Sequence, residues 1–204
     1  MKIVTSVMHY SSYAKRLFQL CAFCLAILTP LMACSDTKTI NWREEVKLSN
    51  GQVIVVQRSE EYRLVGEDIV SRWLFSRENI EAILPTPTST KVVWDGRLKP
   101  IAIDVAKDGV IYLVTVVATA QGAREYSVSD DVNHVAFKYA GPDHWERIPV
   151  ESVPHEIRPN LLAMTHTLFI EQKYSTGKVI DLSLKQRIDS DPRLVEKYKR
   201  WPTK

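Results

Sequence analysis

Ile101-Ala102-Ile103-Asp104-Val105, then Lys107-Asp108-Gly109, then Val110-Ile111-Tyr112-Leu113-Val114-Thr115-Val116-Val117-Ala118: the fold class is decided here. In the first segment apolar side chains recur at Ile101, Ile103 and Val105, the two-residue period of a strand with one face on a core. Lys107-Asp108-Gly109 is a turn signal. The segment after it is nearly continuous in apolar, largely β-branched residues, which predicts a strand covered on both faces.

Hairpin signals continue on either side. Val46 and Leu48 alternate with polar residues, Ser49-Asn50-Gly51-Gln52 interrupts, and Val53-Ile54-Val55-Val56 follows. Asn-Gly suits the two positive-φ positions of a type I′ turn, so a tight hairpin is expected. Shorter strands are expected at Val70–Phe75 (VSRWLF) and Lys91–Trp94 (KVVW), with Pro85 and Pro87 marking the loop between them. His134–Tyr139 (HVAFKY), the turn Ala140-Gly141-Pro142-Asp143 and His144–Ile148 (HWERI) form another expected hairpin. Folded about Gly141-Pro142, it sets His144 opposite Tyr139 and His134 opposite Pro149.

Towards the C-terminus the pattern changes. Pro149, Pro154 and Pro159 leave room for at most a short helical turn. Asp191-Pro192 reads as a helix N-cap with proline at the first helical position, and Leu194, Tyr198 and Trp201 would share one side of the helix after it. A further helix is expected within Val179–Ile188. The expected class is mainly β, with antiparallel hairpins forming a single sheet-based or sandwich-like domain over residues 42–204 and short C-terminal helices.

The N-terminus carries a different message. Residues 1–16 include Lys2, Lys15 and Arg16 and no acid; Leu17–Met32 is an apolar run; Ala33-Cys34 precedes the polar Ser35-Asp36-Thr37-Lys38. Basic start, short apolar core and small-residue boundary are the order of a secretory signal. The run is interrupted by Gln19, Thr29 and Pro30 and falls short of the roughly 20 apolar residues a spanning helix needs. Leu31-Met32-Ala33-Cys34 resembles the lipobox of bacterial lipoproteins. That resemblance implies cleavage after residue 33 and lipid on Cys34, with residues 34–41 as a short tether; a plain secretory signal is the other reading. Ser35 after the cysteine resembles an outer-membrane sorting signal, which implies an address at the outer membrane facing the periplasm.

Removing such a leader changes the composition. The whole chain has 27 basic and 24 acidic residues, and the three basic groups of residues 1–33 account for the excess. A neutral mature domain gives no electrostatic case for nucleic acid. Cys21 and Cys24 lie in the leader, so the mature chain keeps one cysteine and no internal disulfide. An exported domain of this kind must be held by its core.

Residues Trp42–Val56 (WREEVKLSNGQVIVV), with Leu98–Asp104 (LKPIAID), Ala136–Tyr139 (AFKY), Trp145 and Arg147-Ile148-Pro149, resemble a group of uncharacterised proteobacterial lipoproteins. The resemblance spans most of the mature chain. It implies the anchor and a single domain, and it carries over no catalytic residue.

Chemistry-bearing motifs are sparse. His134, His144, His155 and His166 have no pair at the spacing that sets two metal ligands on one helix face. Asp130-Asp131 and Asp189-x-Asp191 lack the further oxygen ligands and the bend glycine of a calcium loop. A nucleophile elbow, a dinucleotide fingerprint and a P-loop are all missing from the sequence. No cofactor and no catalytic residue is therefore assigned. Of the five tryptophans, Trp145 beside the Gly141-Pro142 turn is the expected outward-facing one and the candidate for partner contact.

The expectation for function is a membrane-anchored envelope lipoprotein that docks a protein partner or acts structurally. Its contact with the lipid bilayer would run through acylated Cys34. The alternative is a periplasmic enzyme or metal-binding protein using some of the four histidines.

Overall fold

The computed structural model describes residues 37–66, 72–129, 134–142, 144–162 and 178–190, with only the backbone described for 188–190. All belong to one compact unit, Thr37–Lys204. Among the described residues nine strands form two sheets: β1 Thr37–Lys47, β2 Val53–Val65, β3 Arg72–Leu84, β4 Thr90–Gly96, β5 Lys99–Val105, β6 Ile111–Val116, β7 His134–Gly141, β8 His144–Ile148 and β9 Val179–Ile180. The first sheet runs β4-β3-β2-β1-β9 and the second β5-β6-β7-β8. Neighbours are antiparallel except β9, which lies parallel to β1 through Arg43↔Val179 and Glu44↔Ile180. The expected mainly-β, sandwich-like class is what the chain adopts.

Every residue of β5 and β6 is buried. Ile103, Ile111 and Leu113 point into the space between the sheets and meet Val46, Val56, Ile80, Leu84 and Trp94 of the first sheet. The other face of β6, with Tyr112, Val114 and Val116, is covered by Val153 and Ile157 from the segment after β8. The continuous apolar run thus has a core on each side.

The β1–β2 and β5–β6 turns share one design. Gly51 N donates to Leu48 O at 2.9 Å, and Leu48 N to Gln52 O at 2.8 Å. Gly109 N donates to Ala106 O, and Ala106 N to Val110 O, each at 2.9 Å. Only the glycines have positive φ, +86° at Gly51 and +83° at Gly109. Each is a three-residue loop ending in a glycine bulge. The type I′ turn expected at Asn50-Gly51 is corrected, because Asn50 stays at negative φ. Its side chain instead accepts from Gln52 N at 2.9 Å, as Asp108 accepts from Val110 N at 3.1 Å.

Other expectations shift too. The β7–β8 register is Tyr139↔Trp145 and Gly141↔His144, with an irregularity between Tyr139 and Gly141, so His144 is not opposite Tyr139. Residues 37–41, expected in the tether, are the first part of β1. The strand expected to end at Phe75 continues to Leu84, and the one expected at Val53–Val56 reaches Val65.

Three short helical elements are described. Helix α1, Ala120–Glu125, was not anticipated; Thr119 caps it, accepting from Gly122 N at 3.1 Å. A 3-10 turn spans Val150–Ser152, and helix α2 spans Leu182–Ser190, overlapping the helix expected within Val179–Ile188. The leader, Cys34, Asp130-Asp131, His166 and the helix expected after Asp191 lie outside the described residues.

Candidate functional site

Alternation along the first sheet places charge where a core would normally be apolar. In β1 the inward side chains are Ile40, Trp42, Glu44 and Val46; in β2, Val56, Arg58 and Glu60; in β3, Glu78, Ile80, Ala82 and Leu84. Glu44, Arg58 and Glu78 have no solvent exposure, and Glu60 and Lys99 have almost none.

Arg58 is the hub. Its Nε donates to Glu78 Oε1 at 2.6 Å, and the guanidinium also donates to Glu44 Oε1 at 2.7 Å and to the carbonyls of Leu162 at 2.9 Å and Pro100 at 3.3 Å. Its planar face lies over the Trp42 ring at 4.9 Å. Lys185 of α2 closes one side, 2.6 Å from Glu44 Oε2 and donating to Glu45 O at 2.9 Å. Lys99 closes the other, 3.4 Å from Glu60 Oε1 and 4.0 Å above the Phe75 ring. Tyr62 hydroxyl donates to the second oxygen of Glu60.

Three carboxyl groups thus face three cations. Burial opposes ionisation of Glu44, but Lys185 and Arg58 outweigh it and hold this carboxyl below its usual range. Glu78 goes the other way: burial, with the charge of Glu60 adding to it, pushes its pKa up to about 8 against the pull of Arg58. Its Oε2 has no hydrogen-bond partner, which leaves a proton there little opposition. Burial also lowers the pKa of Lys99. Removing one partner from a buried pair costs about 3–5 kcal/mol, because the remaining charge is stranded. The cluster therefore holds β1, β2, β3, the start of β5, residue 162 and α2 in one arrangement.

Two clefts open at the far end, beside the β1–β2 turn. One, about 420 Å³, is lined by residues including Ser49, Asp104, Glu156, Arg158 and Lys185. The other, about 440 Å³, shares Ser49 and Glu156 and adds Pro85, Pro87 and Asp108. Asp104 is saturated with donors: Ser49 N at 2.9 Å, Ser49 Oγ at 3.2 Å and Val105 N at 2.7 Å. Burial raises its pKa nonetheless. Its role is to fasten the β1–β2 turn to β5.

The outer face of the first sheet at the same end is partly apolar. Val53 and Val55 of β2 are 49% and 48% exposed, and Ile83 of β3 is 64% exposed. Their cross-strand neighbours are charged: Lys47 opposite Val53, Glu45 opposite Val55, and Lys91 opposite Ile83. Lys91 pairs with Glu81 at 2.7 Å.

The residues singled out from sequence do not converge. His134 begins β7, half-buried opposite Val116, and lines a cleft of about 450 Å³ with Arg147 and Glu151. His144 begins β8 at the other end of that hairpin, and His155 is exposed in the following segment. Among the described residues no group of three or more His, Cys, Asp or Glu could hold a metal ion. Trp145, expected to face outward, is half-buried. Its indole N–H donates to Val93 O at 2.7 Å across the sheets, and its ring packs edge-on against Trp94 and Tyr139. The outward tryptophan among the described residues is Trp73, 42% exposed.

The charged cluster escaped the sequence reading. Its signal was present: Arg58 and Glu60 are in phase with Val56, and Glu78 is in phase with Ile80, Ala82 and Leu84. No family model, no curated protein and no solved structure matches this chain.

Proposed function

We propose that this protein is a membrane-anchored envelope lipoprotein whose β-sandwich docks a protein partner. The lipobox-like Leu31-Met32-Ala33-Cys34 supports the anchor, and Ser35 supports sorting to the outer membrane. The docking reading rests on the patch formed by Val53, Val55 and Ile83, which lies at the end of the sheet opposite Thr37. An apolar centre with a charged rim is the anatomy of protein interfaces. The buried charges are spent on holding the sheet's shape, which gives such a patch a rigid support.

In-cell crosslinking of the anchored protein, followed by affinity purification, tests this. A specific partner is expected, lost in the Cys34→Ala variant and weakened at least about tenfold by Ile83→Asp, a hot-spot-sized effect. No partner above background, with the protein present in the envelope, would overturn the docking reading. Stoichiometric metal in the purified protein, lost on His134→Ala or His144→Ala, would favour the histidine-based alternative.

A further inference from the structure

The two sheets are unequal in length. β1, β2 and β3 have 11, 13 and 13 residues, whereas β5 to β8 have between 5 and 8. The β2–β3 hairpin therefore runs past the second sheet, and near its end its apolar side chains stay partly exposed, with no second layer among the described residues. Val65 is 47% exposed, Trp73 42% and Leu74 37%. Leu74 and Val65 fall on one face of this arm and Trp73 on the other, since Arg63 pairs with Leu74, Leu64 with Trp73 and Val65 with Arg72. Lys38 sits over the Trp73 ring at 5.9 Å. Exposed Arg63 and Arg72 flank the apolar residues, Arg63 lying 3.6 Å from Glu61.

Thr37 pairs with Arg63, so β1 begins beside the hairpin end, three residues after Cys34 in sequence. Val65 lies two residues beyond Arg63, roughly 7 Å further along the strand at about 3.3 Å per residue. Cys34 lies three residues ahead of Thr37, at most roughly 11 Å away along extended chain. A lipid on Cys34 is thus tethered within about 11 Å of the strand end that lies beside the tip.

We infer that the β2–β3 tip, with Val65, Trp73 and Leu74, is a membrane-contact surface that inserts into the bilayer interface beside the lipid on Cys34. The inference rests on the proposed anchor. Tryptophan belongs at the headgroup level because its ring is apolar and its N–H polar. Arg63 and Arg72 can keep their charges among headgroups while their stems lie along the apolar residues. Acidic Glu61 offsets part of this charge, and the connecting sequence adds Glu67 and Asp68. The contact is therefore apolar in origin and independent of anionic lipid. It orients the domain with Val53, Val55 and Ile83 turned away from the membrane.

The test uses full-length protein matured in a bacterial host, with Leu74→Cys or Val53→Cys carrying a polarity-sensitive fluorophore. The lipidated protein is placed in phosphatidylcholine vesicles, with and without phosphatidylglycerol and with doxyl-labelled lipid as quencher. The label at position 74 is expected to shift to the blue and lose at least half its emission to doxyl lipid in both compositions. The label at position 53 is expected to remain in water. Trp73→Ser in the Leu74→Cys background is expected to halve the quenching. Lipid on Cys34 by mass spectrometry, with position 74 in water, would overturn this inference and leave the anchor standing. An unmodified Cys34 would overturn both. Equal quenching at 53 and 74 would overturn the orientation. Shielding of position 74 from aqueous iodide without doxyl quenching would assign the tip to a protein instead.

Discussion

Glu78 is a carboxyl group with one oxygen held by Arg58 and the other without a partner, at a site fully shut off from water. A folded-state pKa near 8 against 4.5 for the free side chain means the native protein keeps a proton that the unfolded chain releases between those values. Stability from this group is complete below 4.5 and is lost as pH rises through about 8. Glu44 works oppositely: its lowered pKa contributes stability above 4.5 that is lost as the pH falls. The urea midpoint is therefore expected to fall between about pH 5.5 and about pH 8.5, and Glu78→Gln is expected to flatten that slope by at least half. An unchanged slope in the variant would place the titrating group elsewhere. The signal for this site was available in the sequence as charge in phase with strand apolar residues. It went unread because hydropathy alone treats Arg58, Glu60 and Glu78 as solvent-facing, and only their mutual neutralisation permits them inside.

Elements built on apolar alternation were legible, and those built on compensated charge were not. β6 was anticipated in place and in burial and β5 in place but on one face only, whereas most of β3 was not, because Ser76-Arg77-Glu78-Asn79 breaks the pattern of apolar residues. Both turns were placed correctly, but Asn50-Gly51 was given the wrong geometry, since Asn-Gly serves either a two-residue loop or a three-residue bulge and strand register chooses between them. Helix α1 was missed because six residues with a central glycine offer no periodicity. That glycine has a packing purpose. A Cβ on Gly122 would stand 2.6 Å from the backbone oxygen of Arg97, so helix and turn could not stay as they are. Alanine raises helix propensity by about 1 kcal/mol over glycine. Gly122→Ala is nonetheless expected to lower stability by about 1–3 kcal/mol, the usual cost of forcing volume into a packed contact. Thermal denaturation decides the sign, and a gain would show that α1 can move away freely.

At the scale of the molecule, the sequence reading reached the sandwich-like class but not the order of strands, because hairpins establish neighbours and leave stacking open. The pairing of β9 with β1 joins residues some 136 positions apart, Arg43 with Val179, and no local pattern announces it. Among the described residues stability rests on three apolar clusters and the charged cluster, and a chain cleaved before Cys34 as proposed keeps a single cysteine. A reducing agent is therefore expected to leave the melting temperature of the mature protein within about 1 °C, whereas loss of a disulfide from a secreted domain typically costs about 2–5 kcal/mol. A larger drop would reveal an intermolecular bridge and an unacylated Cys34.

β1 is an interior strand, bonded along its length to β2 and, near Glu44, to β9. It is also the strand through which an anchored domain would be pulled. Tension entering at Thr37 along the strand axis, against a partner held at the opposite end of the sheet, loads the eleven β1–β2 residue pairs side by side. Such a load must shear many hydrogen bonds together; it cannot peel them one at a time. Arg58 on β2 further ties β1 at Glu44 to β3 at Glu78, and Lys185 ties β1 to α2. In a domain anchored and docked as proposed, the topology makes a mechanical link out of the first strand, which carries load while the sandwich stays closed.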